Sequence, residues 1–116
     1  MRKIFFLSSC STCQRIIKEL DLAADNFIFQ DIKNEKISPA QLDQLKELSG
    51  SYEALFSRTA MKYKALNLKE KALSEKEYRN YILEEYTFLK RPVIVVDNRI
   101  FIGNAKQTIA AVKAIL

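Results

Sequence analysis

Two short apolar runs near the end of the chain, separated by only two residues, restrict its fold more than any other feature. Arg91-Pro92 leads into the β-branched run Val93-Ile94-Val95-Val96, Asp97-Asn98 follows, and Arg99-Ile100-Phe101-Ile102 comes next, closed by Gly103. β-Branched residues suit a pleated surface, and a two-residue polar turn joins strands that run antiparallel. The segment therefore reads as a hairpin.

The other end of the chain has a different grammar. Lys3 to Leu7 is a continuous apolar run stopping at Ser8-Ser9, as a central parallel strand would. A helix is expected from about Ser11 or Thr12, either of which can cap it, with Ile16, Ile17 and Leu20 on one face. Phe27-Ile28-Phe29, ending at Gln30-Asp31, supplies a second strand and completes a βαβ start, whose crossover is expected to be right-handed. Ser38-Pro39 opens a helix carrying Leu42, Leu45 and Leu48 and closed by Gly50. Ser51 to Leu68 reads as one or two short helices anchored by Leu55, Phe56, Met61 and Tyr63. Ser74 and Glu77 form a capping box for a helix predicted to reach about Phe88. After the hairpin, Asn104 is the expected cap of a last helix whose Ile109, Val112, Ile115 and Leu116 face the sheet.

The order is thus βαβ, a helical middle, then ββα. It predicts an α/β chain of the thioredoxin-like type: a four-stranded mixed sheet with helices on both faces and a helical insert over about 38–89. With 116 residues and no repeat, low-complexity stretch or linker, the expectation is a single domain spanning 1–116.

Composition narrows the chemistry. Hydrophobic residues make up 48% and charged residues 28%, the mix of a soluble globular protein. There is no histidine, so Ser-His-Asp and Cys-His pairs, histidine bases and histidine metal ligands are all excluded. Chemistry must come from thiols, carboxylates, hydroxyls or cationic side chains. The formal charge is +5, with eight basic and eight acidic residues up to Arg58 and eleven against six beyond it. That field favours anionic partners, although the stretch from Lys62 to Lys90 interleaves five glutamates and also fits a solvated helix face. Met1-Arg2-Lys3 followed by four apolar residues resembles the start of a signal peptide, but the run is too short for an h-region of ~7–15 residues. No stretch approaches the ~18 apolar residues of a membrane span. A cytoplasmic location is expected, where two cysteines are more often reactive than structural.

Cys10-Ser11-Thr12-Cys13 is the one constellation with clear chemistry. A C-x-x-C at the exit of a first strand and the mouth of a first helix is placed as a dithiol redox site requires. There, unpaired backbone N–H groups and the helix dipole stabilise a thiolate and lower its pKa without any histidine. Cys10 is the candidate attacking thiol. Cys13, one turn further in, is the candidate resolving thiol, able to attack a mixed disulfide on Cys10. Other readings stay open: a structural disulfide, or two buried cysteines packing as small hydrophobes. A zinc site needs four ligands, which leaves only one shared across a dimer, so no metal is expected. In thioredoxin-like proteins a cis-proline before the third strand faces the first cysteine, and Pro92 fits that place. Arg91 would then aim its guanidinium at the thiolate or at an anion bound beside it.

Cys10 through Arg15, Gly50 with Arg58 eight residues on, Tyr63-x-x-Leu66, and Arg91-Pro92-Val93-Ile94-Val95 followed by Gly103 together resemble the ArsC/Spx family of thioredoxin-fold proteins. The resemblance runs essentially from end to end. It implies either an arsenate reductase-like thiol-disulfide oxidoreductase or an Spx-like redox-sensing regulator that binds the RNA polymerase alpha subunit. For the first, it implies Cys10 as the catalytic cysteine, Arg58, Arg91, Thr12 and Pro92 as the substrate- or anion-binding set, and glutathione with glutaredoxin, or thioredoxin, as electron donor. The substrate would be a small thiol compound, an oxyanion or a redox protein, and no bound cofactor is implied. The family's third oxyanion arginine falls near Gly103, where this chain has none, and Gln14 stands where an arginine usually follows the cysteine segment. Two guanidinium ligands in place of three weaken the case for arsenate, since each charge-assisted pair is worth ~1.5–3 kcal/mol. No helix-turn-helix or basic-aromatic array is visible, which argues against direct nucleic-acid binding.

Overall fold

The computed structural model describes all 116 residues. Its strands are β1 (Arg2–Phe6), β2 (Ile28–Asp31), β3 (Val93–Val96) and β4 (Arg99–Ile102), and they form one sheet in the order β2-β1-β3-β4. β1 and β2 are parallel, while β3 runs antiparallel to both β1 and β4. The mixed sheet expected from the βαβ and ββα halves is therefore present, in a thioredoxin-like α/β fold. Position in the sheet explains the sequence patterns. β3 is flanked on both sides, and all four of its residues are buried, hence a β-branched run without alternation. β2 lies at the edge, and there Ile28 and Phe29 remain exposed.

The helices are α1 (Ser11–Glu19), α2 (Pro39–Ser49), α3 (Met61–Ala65), α4 (Glu75–Glu84) and α5 (Lys106–Ile115). By contacts the chain divides into two compact units: Met1–Glu35 together with Arg91–Leu116, and Lys36–Lys90. The first holds the sheet with α1 and α5. Register places Phe29, Ile4, Ile94 and Phe101 in one row across it. Ile16 and Leu20 of α1 and its C-terminal end, with Ile109 and Val112 of α5, pack over Ile4, Ile94 and Val96 as a single apolar cluster. The hairpin turns at Asp97, whose φ of 56° is left-handed. Its backbone N–H donates to the Met1 carbonyl at 2.7 Å, and its carboxylate accepts from the Met1 amine at 2.9 Å.

The second unit holds α2, α3 and α4. Ser38 and Gln41 form a reciprocal capping box at α2, Pro39 occupies its first turn, and Gly50 closes it with φ 93°, where a side chain would be strained. Leu42 and Leu45 are buried but Leu48 is exposed, because spacing by threes drifts off a helical face. Ser74 and Glu77 cap α4 in the same way. That helix stops at Glu84, short of the expected Phe88. Glu85 is extended, and Tyr86–Phe88 form a 3-10 turn. Competing pairing explains the early stop: Ser57 N–H donates to Phe88 O at 2.7 Å and Lys90 N–H to Leu55 O at 2.8 Å, around a bridge between Phe56 and Leu89. Phe56 then stacks on Phe88 at 5.0 Å and touches Tyr78 at 4.9 Å. With that aromatic cluster filling the interior, Met61 is 88% exposed rather than an anchor. Asn104 stands one residue too early to cap α5, which begins after Ala105 without a side-chain bond.

Candidate active site

β1 delivers the chain to Leu7, and a tight turn returns Cys10 N–H to Leu7 O at 3.0 Å. Cys10 itself is the N-cap residue of α1, with extended φ and ψ, so neither Ser11 nor Thr12 caps the helix as expected. A neutral thiol is a poor cap, and Cys10 makes no capping bond in that form. The thiolate is another matter. Burial pushes the Cys10 thiol up, but the backbone N–H and side chain of Cys13, the backbone of Thr12 and the charge of Arg91 outweigh it and hold Cys10 below its usual range. Cys13 is fully buried at the third helical position. Burial, then a hydrogen bond to Cys10 and its charge, push Cys13 up to about 11 against the opposing pull of Leu7 and Arg91. Two thiols on one turn are thus set apart, one poised to ionise and one kept protonated.

Arg91 is half-buried, and the Arg91-Pro92 peptide bond is cis, as the thioredoxin-like placement of Pro92 implied. Pro92 is buried, and its carbonyl accepts from Gly103 N–H at 2.9 Å, fixing the mouth of the hairpin. Nowhere do three cysteine or carboxylate side chains converge as a metal site would require. No helix is long and apolar enough to cross a membrane.

Comparison with known proteins decides the family. The profile of the ArsC family matches residues 5–112, nearly the whole chain. The chain belongs to the ArsC family. Among solved structures similar to this ArsC-family chain is a Streptococcus mutans protein described as a possible arsenate reductase. It is 29% identical with a TM-score of 0.74, and the match covers 91% of this chain and 92% of that one. An arsenate reductase from Vibrio cholerae is 20% identical with a TM-score of 0.80, covering 99% and 97%. The uncharacterized protein YusI of Bacillus subtilis (strain 168) is 28% identical over 102 residues, covering 85% of this chain and 86% of its own length.

Within the ArsC-family chain, Cys10, Thr12, Cys13, Arg91 and Pro92 all belong to the sheet unit, where Arg91 acts electrostatically on both sulfurs. Arg58 belongs to the helical unit. Its guanidinium donates to the Glu53 carboxylate at 2.7 Å and to the Tyr78 hydroxyl at 3.0 Å, and lies 5.7 Å from the Tyr78 ring centre. Sequence reasoning did not anticipate Glu53 as its partner. It also gave Ser8, Gln14 and Asp31 no role around the cysteine turn. The Ser8 hydroxyl donates to Asp31, and the Gln14 side-chain amide donates to Ser8 O at 3.1 Å. The available signal was Asp31-x-x-Asn34 directly after an apolar strand, a side chain placed to bond its own following turn.

Proposed function

We propose that this chain is a thiol-disulfide oxidoreductase in which Cys10 attacks and Cys13 resolves. The observation that carries the reading is the opposite displacement of the two thiols at the mouth of α1, beside Arg91. The Cys10 thiolate attacks one sulfur of a substrate disulfide, forming a mixed disulfide and expelling the other half as a thiolate. Cys10 is then neutral, and both its charge and its hydrogen-bond demand on Cys13 disappear, while the pull of Arg91 remains. Cys13 gives its proton to the departing thiolate and attacks Cys10 sulfur, releasing the second half and closing a Cys10–Cys13 disulfide. Two electrons pass from the dithiol to the substrate, and an external thiol donor returns them. Glutathione with glutaredoxin, or thioredoxin, is the class of donor proposed.

Thr12 contributes its backbone N–H, Pro92 shapes the mouth of the site, and Arg91 holds the negative charge. Because the Arg58 guanidinium is already engaged by the Glu53 carboxylate, a disulfide rather than arsenate is the proposed substrate. Incubating the reduced protein with a mixed glutathione disulfide in the absence of other thiols, and separately with arsenate, glutathione and glutaredoxin, tests this. Reduction of the disulfide that vanishes in Cys10→Ser is expected; undiminished reduction in that variant, or none in the native chain, overturns it.

A further inference from the structure

The turn carrying the attacking thiol is anchored at its start by the buried Leu7, but its two central residues, Ser8 and Ser9, are both exposed. Its shape is held by polar attachments on two sides. On one side stands Asp31, the last residue of β2, paired in parallel register with Phe6 of β1. Its carboxylate accepts from the Ser8 hydroxyl, from Ser8 N–H at 3.4 Å, from Lys33 N–H at 3.2 Å and from the Asn34 amide at 2.9 Å. On the other side, Gln14 of α1 donates its side-chain amide to Ser8 O, while its backbone N–H donates to Cys10 O at 3.1 Å. Ser8 is therefore gripped at its hydroxyl, its N–H and its carbonyl, two residues before the nucleophile. The Cys10 thiolate depends on N–H groups converging on its sulfur, and such convergence is lost with small shifts of the turn.

We propose that Asp31 is a positioning residue for Cys10: its bonds to Ser8, completed by Gln14, tie the cysteine turn to the end of β2 and fix the sulfur in front of the first backbone N–H groups of α1. Asp31 itself is ionised: the Ser8 hydroxyl is the largest influence and outweighs the opposing effect of burial, and Lys33 N–H, Ser8 N–H and Asn34 add to it, holding the carboxyl below the usual carboxylate range. The inference rests on the reading of Cys10 as a nucleophile and assigns it a support outside the C-x-x-C motif.

Sign separates positioning from simple charge. A carboxylate acting only as a nearby negative charge would hold the thiol up, so its removal would leave the Cys10 midpoint unchanged or lower it. A positioning carboxylate does the reverse. The experiment is the pH dependence of iodoacetamide alkylation at Cys10, located by mass spectrometry, in the native chain, Asp31→Ala, Asp31→Asn and Gln14→Ala, with circular dichroism confirming the fold of each. In Asp31→Ala the midpoint is expected to rise, with alkylation at pH 6 slowed about three- to tenfold, and Asp31→Asn, which keeps an acceptor oxygen for Ser8, should recover part of the loss. Gln14→Ala, which breaks the other attachment and touches no charge, should shift the midpoint the same way and carries the test should Asp31→Ala fail to fold. An unchanged or lowered midpoint in the folded variants overturns the positioning role alone. A native Cys10 that titrates as an ordinary thiol overturns the nucleophile reading with it.

Discussion

Cys10 and Cys13 are chemically identical side chains, and the difference between them comes from place. Cys10 sits half-exposed where backbone N–H groups have no helical partner, whereas Cys13 lies one turn deeper, fully out of water. Burial penalises the anion of Cys13 most heavily, and the neighbouring Cys10 charge adds to it. Near neutral pH, alkylation of the native protein should therefore mark Cys10 alone, with Cys13 labelled only after unfolding; equal labelling of both in the folded state would contradict the assignment. Arg91 lowers both thiols, though less than the Cys13 and Thr12 hydrogen bonds lower Cys10, so Arg91→Met should move the Cys10 midpoint modestly upward and slow its reaction at pH 6, an effect that salt should mimic in part on the native chain. An unchanged pH profile in that variant would leave Arg91 no electrostatic part. The C-x-x-C and Arg91-Pro92 were legible because each has a fixed local context, strand exit or strand entry. Asp31 was not, because its partner Ser8 lies on another segment and only folding brings the two together. Glu53 was not either, although it is close to Arg58 in sequence, because a 3-10 turn followed by the extended Phe56 joins them and no helical spacing marks the pair.

The helical unit shows which local signals decide an element and which yield. Where a start carries a cap and a second signal, sequence and structure agree: Ser38 before Pro39, and Ser74 with Glu77, both start helices where expected, whereas the lone candidates Ser11, Thr12 and Asn104 do not serve as caps. Ser38→Ala should cost about 1 kcal/mol, within the ~0.5–2 kcal/mol range of lost caps, measured by denaturant unfolding. Where the boundary rests on apolar periodicity alone, tertiary pairing overrides it, as at Glu85, where the chain leaves α4 to pair with the segment from Leu55 to Ser57. α2 and α4 are also joined by charge. Arg79 of α4 donates to both oxygens of Asp43 on α2, at 2.8 and 3.2 Å, and Tyr52 donates to the same carboxylate at 2.6 Å. Arg79 first and Tyr52 second hold the Asp43 carboxyl at about 2. The folded value lies below the unfolded one of ~3.9, so the contribution is present above about pH 4 and is lost as pH falls through 2. Stability measured between pH 5 and pH 2 should drop less in Asp43→Asn than in the native chain; parallel curves would show that this network does not contribute.

Across the molecule, the four strands differ less in composition than in surroundings, and this separates apolar residues that hold the fold from apolar residues that merely occur in it. Ile94 lies in the row Phe29, Ile4, Ile94 and Phe101, has 1% exposure, and belongs to the cluster under α1 and α5. Ile28, of the same residue type in the same sheet, is 55% exposed at the edge strand. From the sequence both simply lie in apolar strand runs, because such a run names a strand without saying whether the strand has a neighbour on each side. That is why β3 was legible in full and β2 only as an element. Truncating Ile94 removes its apolar contacts and leaves a cavity that the close-packed helices above it cannot collapse into, so Ile94→Ala should destabilise by about 2–5 kcal/mol. Ile28→Thr keeps β-branching on a solvated edge and should fall within about 0.5 kcal/mol of the native chain. Thermal and denaturant unfolding of the two variants side by side provides the measurement. A large loss at Ile28 would mean that the edge of β2 is covered in solution, and a small one at Ile94 that the packing of α1 and α5 on the sheet is looser than the structure shows.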